Sequence, residues 1–193
     1  MAFDPASITP VVLVGGKSRR FGRDKLREIV NPTAREWLVD RPIAALREVF
    51  GPRVHLVGEC DPAIVSRADA SLHDPYQGVG PLGGILAALE STRGGVFVLS
   101  GDLVSITPLV IRQVLDASLA AQPHVLAVLA SSDRIEPCIG VYTPGARPYL
   151  AQSLAAGRRA LIDAIPRECL LLVPVDPAVT RNVNRPGDLP GSA

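Results

Sequence analysis

Aromatic side chains make up only 4% of the 193 residues, with a single tryptophan, and charge of neither sign prevails: 20 Lys and Arg stand against 19 Asp and Glu. A chain so nearly neutral carries no broad electrostatic footprint for nucleic acid or an anionic membrane, so any anion site must be local. Cysteine is scarce and odd in number. Cys60, Cys138 and Cys169 fit neither a paired-ligand zinc spacing nor a disulfide framework, and they read as reduced thiols. His55, His73 and His124 share no ligand spacing either, which argues for core or surface packing. No apolar run approaches the ~18 residues of a membrane span. Met1–Pro10 holds an acid, two prolines and no apolar stretch of signal-peptide length, so a cytoplasmic address is the expectation. Internal repeats, low-complexity tracts and linker-like runs are missing as well. One domain over residues 1–193 is expected, with a core of about residues 10–185 and a loose C-terminal tail.

What is present is an alternation of two periods. VVLVG (Val11–Gly15), VHLVG (Val54–Gly58), VFVLSGD (Val96–Asp102) and VLAVLA (Val125–Ala130) are short β-branched runs of the kind that suits strands buried on both faces. Helical spacing fills the intervals at Arg35–Phe50, Gly80–Thr92 and Thr107–Ala121. Strand followed by helix, repeated, predicts right-handed βαβ units, a mostly parallel central sheet and helices on both faces, an α/β fold. Thr107 reads as an N-cap with Pro108 at the first helical position, and Pro42 is expected to kink the helix that contains it. Further on, Glu136–Pro144 and Leu170–Val175 read as strands, and ARPYLAQSLAAG and ALIDAIP as helices.

Directly after the first strand come Gly15 and Gly16, then five cations in nine positions: Lys17, Arg19, Arg20, Arg23 and Lys25. A phosphate-binding loop of the Walker type is excluded because Val11 stands where its first glycine belongs. The dinucleotide fingerprint is excluded because Gly15 and Gly16 are adjacent and the next glycine is Gly22. A looser physical statement remains. A strand delivers the chain to the carboxyl edge of the sheet, glycines let backbone N–H groups approach an anion, and cations surround it. A phosphate site and a merely solvated basic loop are both open at this point.

LVGGKSRRFGRDK, spanning Leu13 to Lys25, resembles the Leu-X-Gly-Gly-X-Ser-X-Arg-X-Gly-X-Asp-Lys signature of the molybdenum cofactor guanylyltransferases. The likeness continues at DPYQGVGPLGGI (Asp74–Ile85), at VLSGD ending in Asp102, and at NVNRPGDL (Asn182–Leu189). It implies a Rossmann-like three-layer α/β/α nucleotidyltransferase fold. It also implies transfer of GMP from GTP to molybdopterin carrying molybdenum, with Mg²⁺ as cofactor, pyrophosphate as leaving group and molybdoenzyme maturation proteins as possible partners. By resemblance Arg20, Lys25 and Asp102 are the catalytic candidates, Asp102 being the metal ligand. Leu13, Val14, Gly15, Gly16, Asp74, Gly80, Pro81 and Leu82 join Lys25 and Asp102 at the nucleotide, and Asn182 and Asn184 lie toward the acceptor. Lys17, Arg19 and Arg23 are expected to be solvated or steering charges.

Three departures from the family pattern stand out. Asp102-Leu103-Val104 replaces the family's Asp-X-Pro, IVNPTAREWL (Ile29–Leu38) replaces a Gly-X-Pro-Leu turn, and Val57 occupies the end of the second strand where a polar base contact is usual. Two other readings stay open: a cytidylyltransferase or other small-acceptor nucleotidyltransferase of the same fold, and a nucleotide-binding protein that delivers cofactor without catalysis.

Overall fold

The computed structural model describes residues 7–15, 24–183 and 185–189. Nine strands follow one another as β1 (Thr9–Leu13), β2 (Ile29–Asn31), β3 (Glu36–Trp37), β4 (His55–Val57), β5 (Ala70–Leu72), β6 (Val96–Ser100), β7 (Ala127–Ser131), β8 (Ile135–Tyr142) and β9 (Leu170–Pro174). Seven of them form one sheet in the order β5-β4-β1-β6-β8-β7-β9, and β2 and β3 pair separately as an antiparallel ribbon. Within the large sheet β5, β4, β1 and β6 run parallel, as do β7 and β9, whereas β8 is antiparallel to both its neighbours. The reversal has a local cause. Only residues 132–134 separate β7 from β8, with the Ser132 N–H donating to the Arg134 carbonyl at 2.9 Å, and so short a link can join only antiparallel strands.

The central strands are apolar throughout because both faces are covered. Val11, Val12 and all of Val96–Leu99 are inaccessible to solvent. Alternate residues point to opposite layers. Val12, Leu56, Phe97 and Leu99 join a core under α1 (Asp40–Phe50) and α4 (Pro108–Leu119), whereas Val11, Val57, Val96 and Val98 join one under α3 (Pro81–Ser91) and α5 (Arg147–Ala155). The short α2 (Pro62–Val65) follows β4. This is the three-layer arrangement that the alternation predicts. Ile85 and Leu86 of α3, fully buried, each contribute about 1.5–3 kcal/mol. No helix among the described residues is long and apolar enough to cross a membrane.

Several local expectations are corrected. The helix expected from Arg35 begins at Asp40, and Glu36–Trp37 are extended. Pro42 is consequently the third helical residue, inside the first turn where its missing N–H has no partner to lose, and it does not kink the helix. Thr107 takes the extended N-cap conformation (φ −122°, ψ 154°) ahead of Pro108, but its hydroxyl makes no capping bond. ALIDAIP forms only a 3-10 turn at Leu161–Asp163. β5 escaped the reading of the sequence because Ala-Ser-Leu contains no apolar run. Residues 185–189 of the C-terminal tail are described, and there Pro186–Asp188 form a 3-10 turn, with the Asp188 carboxylate accepting from the Arg185 N–H at 2.8 Å.

The exits of β1 and β4 meet at two glycines. Gly58 has φ +108°, and a Cβ built there would sit 2.4 Å from the backbone nitrogen of Gly15. Both the dihedral and the contact with main chain forbid a side chain, so Gly58→Ala is expected to lower the free energy of unfolding by about 2–4 kcal/mol. Denaturant melts check this: the midpoint should fall with the slope unchanged, and an unaltered midpoint would mean that the two exits do not approach so closely.

Candidate active site

Because β5, β4, β1 and β6 are parallel, their carboxyl ends lie along one edge of the sheet, the position at which open α/β folds bind ligands. A glycine or an acid follows each strand there within two residues: Val14-Gly15 after β1, Gly58-Glu59 after β4, His73-Asp74 after β5 and Gly101-Asp102 after β6. A cavity of about 670 Å³ follows this edge. Leu13, Gly15, Val57, Gly58 and Glu59 line one part of it, the loop residues Asp74, Gln77, Gly78, Gly80 and Pro81 another, and Ser100 and Cys138 the end over β6 and β8. Its volume falls within the range of small-molecule sites. Helix α3 approaches the sheet closely enough to form a wall because Gly84 is bare: a Cβ there would stand 3.0 Å from Leu13 Cδ2 and from Val57 Cγ1.

Charge is concentrated beside the β6 end. Lys25 opens a 3-10 turn (Lys25–Arg27) whose N-cap is Asp24, with Asp24 Oδ1 accepting from the Leu26 N–H at 3.1 Å. The other oxygen of Asp24 accepts from the Asp61 N–H at 3.2 Å, tying this turn to the chain that leaves β4. From here the Lys25 ammonium pairs with Asp102 Oδ2 and donates to the Val183 carbonyl at 2.9 Å. Ser100 Oγ donates to Asp102 Oδ1 at 2.5 Å, so both carboxylate oxygens are engaged. Both side chains of the ion pair are largely shielded, with relative exposures of 20% for Lys25 and 13% for Asp102.

Two nearby thiols have their pKa raised by burial and, after it, by the carboxylates around each. Burial, then the Asp102 and Glu136 charges, push the Cys138 thiol up to about 12, and burial with Asp24 and Asp61 pushes Cys60 up to about 11. Cys138 therefore faces the cavity as a neutral thiol. Asp61 is held below the usual carboxylate range by the Ala63 N–H and by the Arg27 guanidinium.

The expected residues fall in different places. Leu13, Gly15, Asp74, Gly80 and Pro81 line the cavity, with Lys25 and Asp102 joined to it through Ser100. Asp74 Oδ1 is committed to its own turn, accepting from the Tyr76 N–H at 2.8 Å. The side chains of Val14 and Leu82 are buried in the two cores, so only their main chain is available at the edge. Gly16, Arg20 and Asn184 lie outside the described residues, as do Lys17, Arg19 and Arg23. Asn182 lies close to Asp102 in the chain pairing: it forms an isolated antiparallel bridge with Leu103, and its Oδ1 is buried without a partner among the described residues.

Two departures from the family pattern acquire physical reasons. Val104 donates its N–H to the Arg181 carbonyl at 3.2 Å, and a proline there would lack that donor. The chain after Lys25 forms the β2–β3 ribbon instead of a glycine turn, and Val30 and Leu38 cover Val183. At the end of β4 Val57 is buried in the cavity wall, and the polar group on the rim is Glu59, two residues on. Sequence reasoning passed over Glu59, Gln77, Ser100 and Cys138. Glu59 carried a signal nonetheless, as the first charged residue after a strand-ending glycine.

Comparison with known proteins matches residues 10–169 to the MobA-like NTP transferase domain. The probable molybdenum cofactor guanylyltransferase of Bacillus subtilis is 31% identical to this chain over 92% of it and 90% of that protein. Its counterpart from Pelotomaculum thermopropionicum is 30% identical over 94% and 89%. Among solved structures, molybdopterin-guanine dinucleotide biosynthesis protein A from Archaeoglobus fulgidus superposes with a TM-score of 0.73 at 24% identity, covering 94% of this chain and 95% of that one. 4-Diphosphocytidyl-2C-methyl-D-erythritol synthase from Anaerococcus prevotii gives 0.71 at 11% identity over 97% and 94%, a likeness of fold alone. Matched over most of its length by that domain and by relatives at 30% identity or more, the chain belongs to the MobA-like NTP transferase family and is a nucleotidyltransferase.

Proposed function

We propose that the protein transfers GMP from GTP to molybdopterin carrying molybdenum, forming the guanine dinucleotide and releasing pyrophosphate. The observation that carries this reading is the Lys25–Asp102 pair at the end of a nucleotide-sized cavity, in a chain whose relatives bear the guanylyltransferase name. In the reaction, an oxygen of the acceptor phosphate forms a bond to the α-phosphorus of GTP, and the bond from that phosphorus to the bridging oxygen breaks, the electron pair leaving with pyrophosphate. The protein has to align the two phosphates and neutralise the charge that grows on the leaving group. Lys25, a compact point charge held by Asp102 and the Val183 carbonyl, is placed to do the second, and Arg20 is proposed to grip the phosphates beside it. The acceptor is proposed to approach past the segment that carries Asn182, which bridges to Leu103 next to Asp102.

The donor set at Asp102 fits Mg²⁺. One carboxylate backed by a hydroxyl, with phosphate oxygens and waters completing the shell, is what Mg²⁺ takes in nucleotide sites, and no group of three or more acidic, His or Cys ligands among the described residues forms a closed cage. Bound there by Asp102, the ion would supply charge neutralisation and orientation of the triphosphate. The cytoplasm, where GTP is available, is the proposed location, and molybdoenzyme maturation proteins are the proposed recipients.

Incubation with Mg²⁺, the molybdenum-bearing acceptor and each nucleoside triphosphate in turn, followed by mass detection, checks the reading. The guanine dinucleotide should form with GTP and little product should form with CTP or ATP; a cytosine product would reassign the enzyme, and no turnover with any would leave only binding. Asp102→Asn keeps the size of the side chain and should lower kcat about a hundredfold or more, about 3 kcal/mol of transition-state stabilisation, with an unchanged fold by circular dichroism. Lys25→Ala and Arg20→Ala should each lower kcat/KM by roughly a hundredfold at all salt concentrations, whereas Lys17→Ala, Arg19→Ala and Arg23→Ala should cause small losses that fade as salt rises. Five similar, salt-sensitive losses would reduce the stretch to a basic patch.

A further inference from the structure

We infer that Glu59 is the residue that selects guanine, its carboxylate accepting the N1–H and 2-amino hydrogens of the base. The inference rests on the reading of GTP as donor nucleotide and adds the residue that recognises it. The sheet order β5-β4-β1-β6 supplies the first argument. Lys25 and Asp102 mark the phosphate end over β6, and strands about 4.8 Å apart place the exit of β4 about 10 Å away along the same edge. No Lys or Arg is among the described residues that line the cavity beside Glu59 and Asp74, so their carboxylates disfavour a triphosphate there, whereas the Lys25 ammonium attracts it to the other end. That half of the cavity is left to the uncharged nucleoside.

The state of the side chains there supplies the second argument. Glu59 lines the cavity, is exposed, and has no side-chain partner among the described residues. Its backbone borders the β1 exit: a Cβ at Gly15 would stand 3.5 Å from the Glu59 backbone nitrogen. Asp74, the other acid, already has one oxygen in its turn with Tyr76. Gln77 presents both a donor and an acceptor and so suits any base, whereas an ionised carboxylate accepts only. Of the four bases guanine alone offers two adjacent donors on its pairing edge. Adenine and cytosine each put an acceptor beside their single amino group, and that acceptor would meet the carboxylate lone pairs with repulsion. Discrimination by mismatched polar groups of this kind exceeds what apolar contacts provide.

Calorimetric titration of wild type and Glu59→Gln with Mg²⁺ and the triphosphates of guanosine, inosine, xanthosine and cytidine tests the assignment without requiring turnover. Wild type should bind GTP about tenfold or more tightly than inosine triphosphate, which lacks the 2-amino group, as expected for one hydrogen bond to a charged acceptor. Glu59→Gln should lose at least tenfold for GTP and gain affinity for xanthosine triphosphate, because the amide both accepts from N1–H and donates to the 2-oxo group. A purely structural role for Glu59 would weaken all four alike, and that result, or an unchanged preference for GTP over inosine triphosphate, would overturn the assignment. Wild type that binds CTP as tightly as GTP would overturn the GTP reading itself, so the two failures are distinguishable.

Discussion

Three distant parts of the chain converge on one ammonium group. Lys25 Nζ pairs with Asp102, 77 residues on, and donates to the carbonyl of Val183, 158 residues on, in surroundings that exclude most solvent. A shielded ion pair gains little net stability over apolar packing, but loss of one member leaves the other charge uncompensated, so the three segments are held in a single arrangement. The rest of the edge is organised to keep this pair in place. Asp24 caps the turn that begins at Lys25, Ser100 holds Asp102 from below, and the segment at residues 181–183 is stitched to Asp102–Val104 by backbone bonds from Val183 and Val104. A constellation of one cation and one carboxylate is what transfer between phosphates requires of a protein, since the chemistry asks for position and charge and not for a nucleophile.

Behind that pair, a second layer joins the Lys25 turn to the chain leaving β4. Arg27 pairs with Asp61 at 2.5 Å, and Asp61 both caps α2 and donates its N–H to Asp24. Arg27 also stacks on Trp37, 5.2 Å from the ring centroid, with Arg67 on the same ring at 4.1 Å. The Trp37 N–H in turn donates to Asp40 at 2.8 Å, and Asp40 holds Arg67. The lone tryptophan is thus a bracket between two guanidinium groups. Through this network the chain leaving β4, which carries Glu59, is tied to the turn that carries Lys25.

The strands were the most legible part of the sequence, because burial on both faces writes itself as continuous β-branched runs, as in Val96–Leu99. The motif residues Lys25 and Asp102 were likewise visible, and the structure brings them together. Less was visible where the pattern depends on partners remote in sequence. The antiparallel course of β8 follows from a three-residue link, and the β2–β3 ribbon is a weak local signal stabilised by Leu38 against Val183. Pro42 misled because its effect depends on how far it lies from the helix start, which is Asp40 and not Arg35. Glu59 was not legible because the apolar run ends at Val57, whereas the turn at Gly58 carries the chain past it to the rim.

The orientation of the nucleotide along the edge is the claim on which everything else depends. A crystal structure with Mg²⁺ and a GTP analogue bearing a methylene between the α- and β-phosphorus atoms tests it most directly. The triphosphate is expected against Lys25 and Asp102, with the guanine over the exits of β4 and β5 beside Glu59. A base lodged over β8 and β7, or phosphates resting at the β5 end, would contradict it.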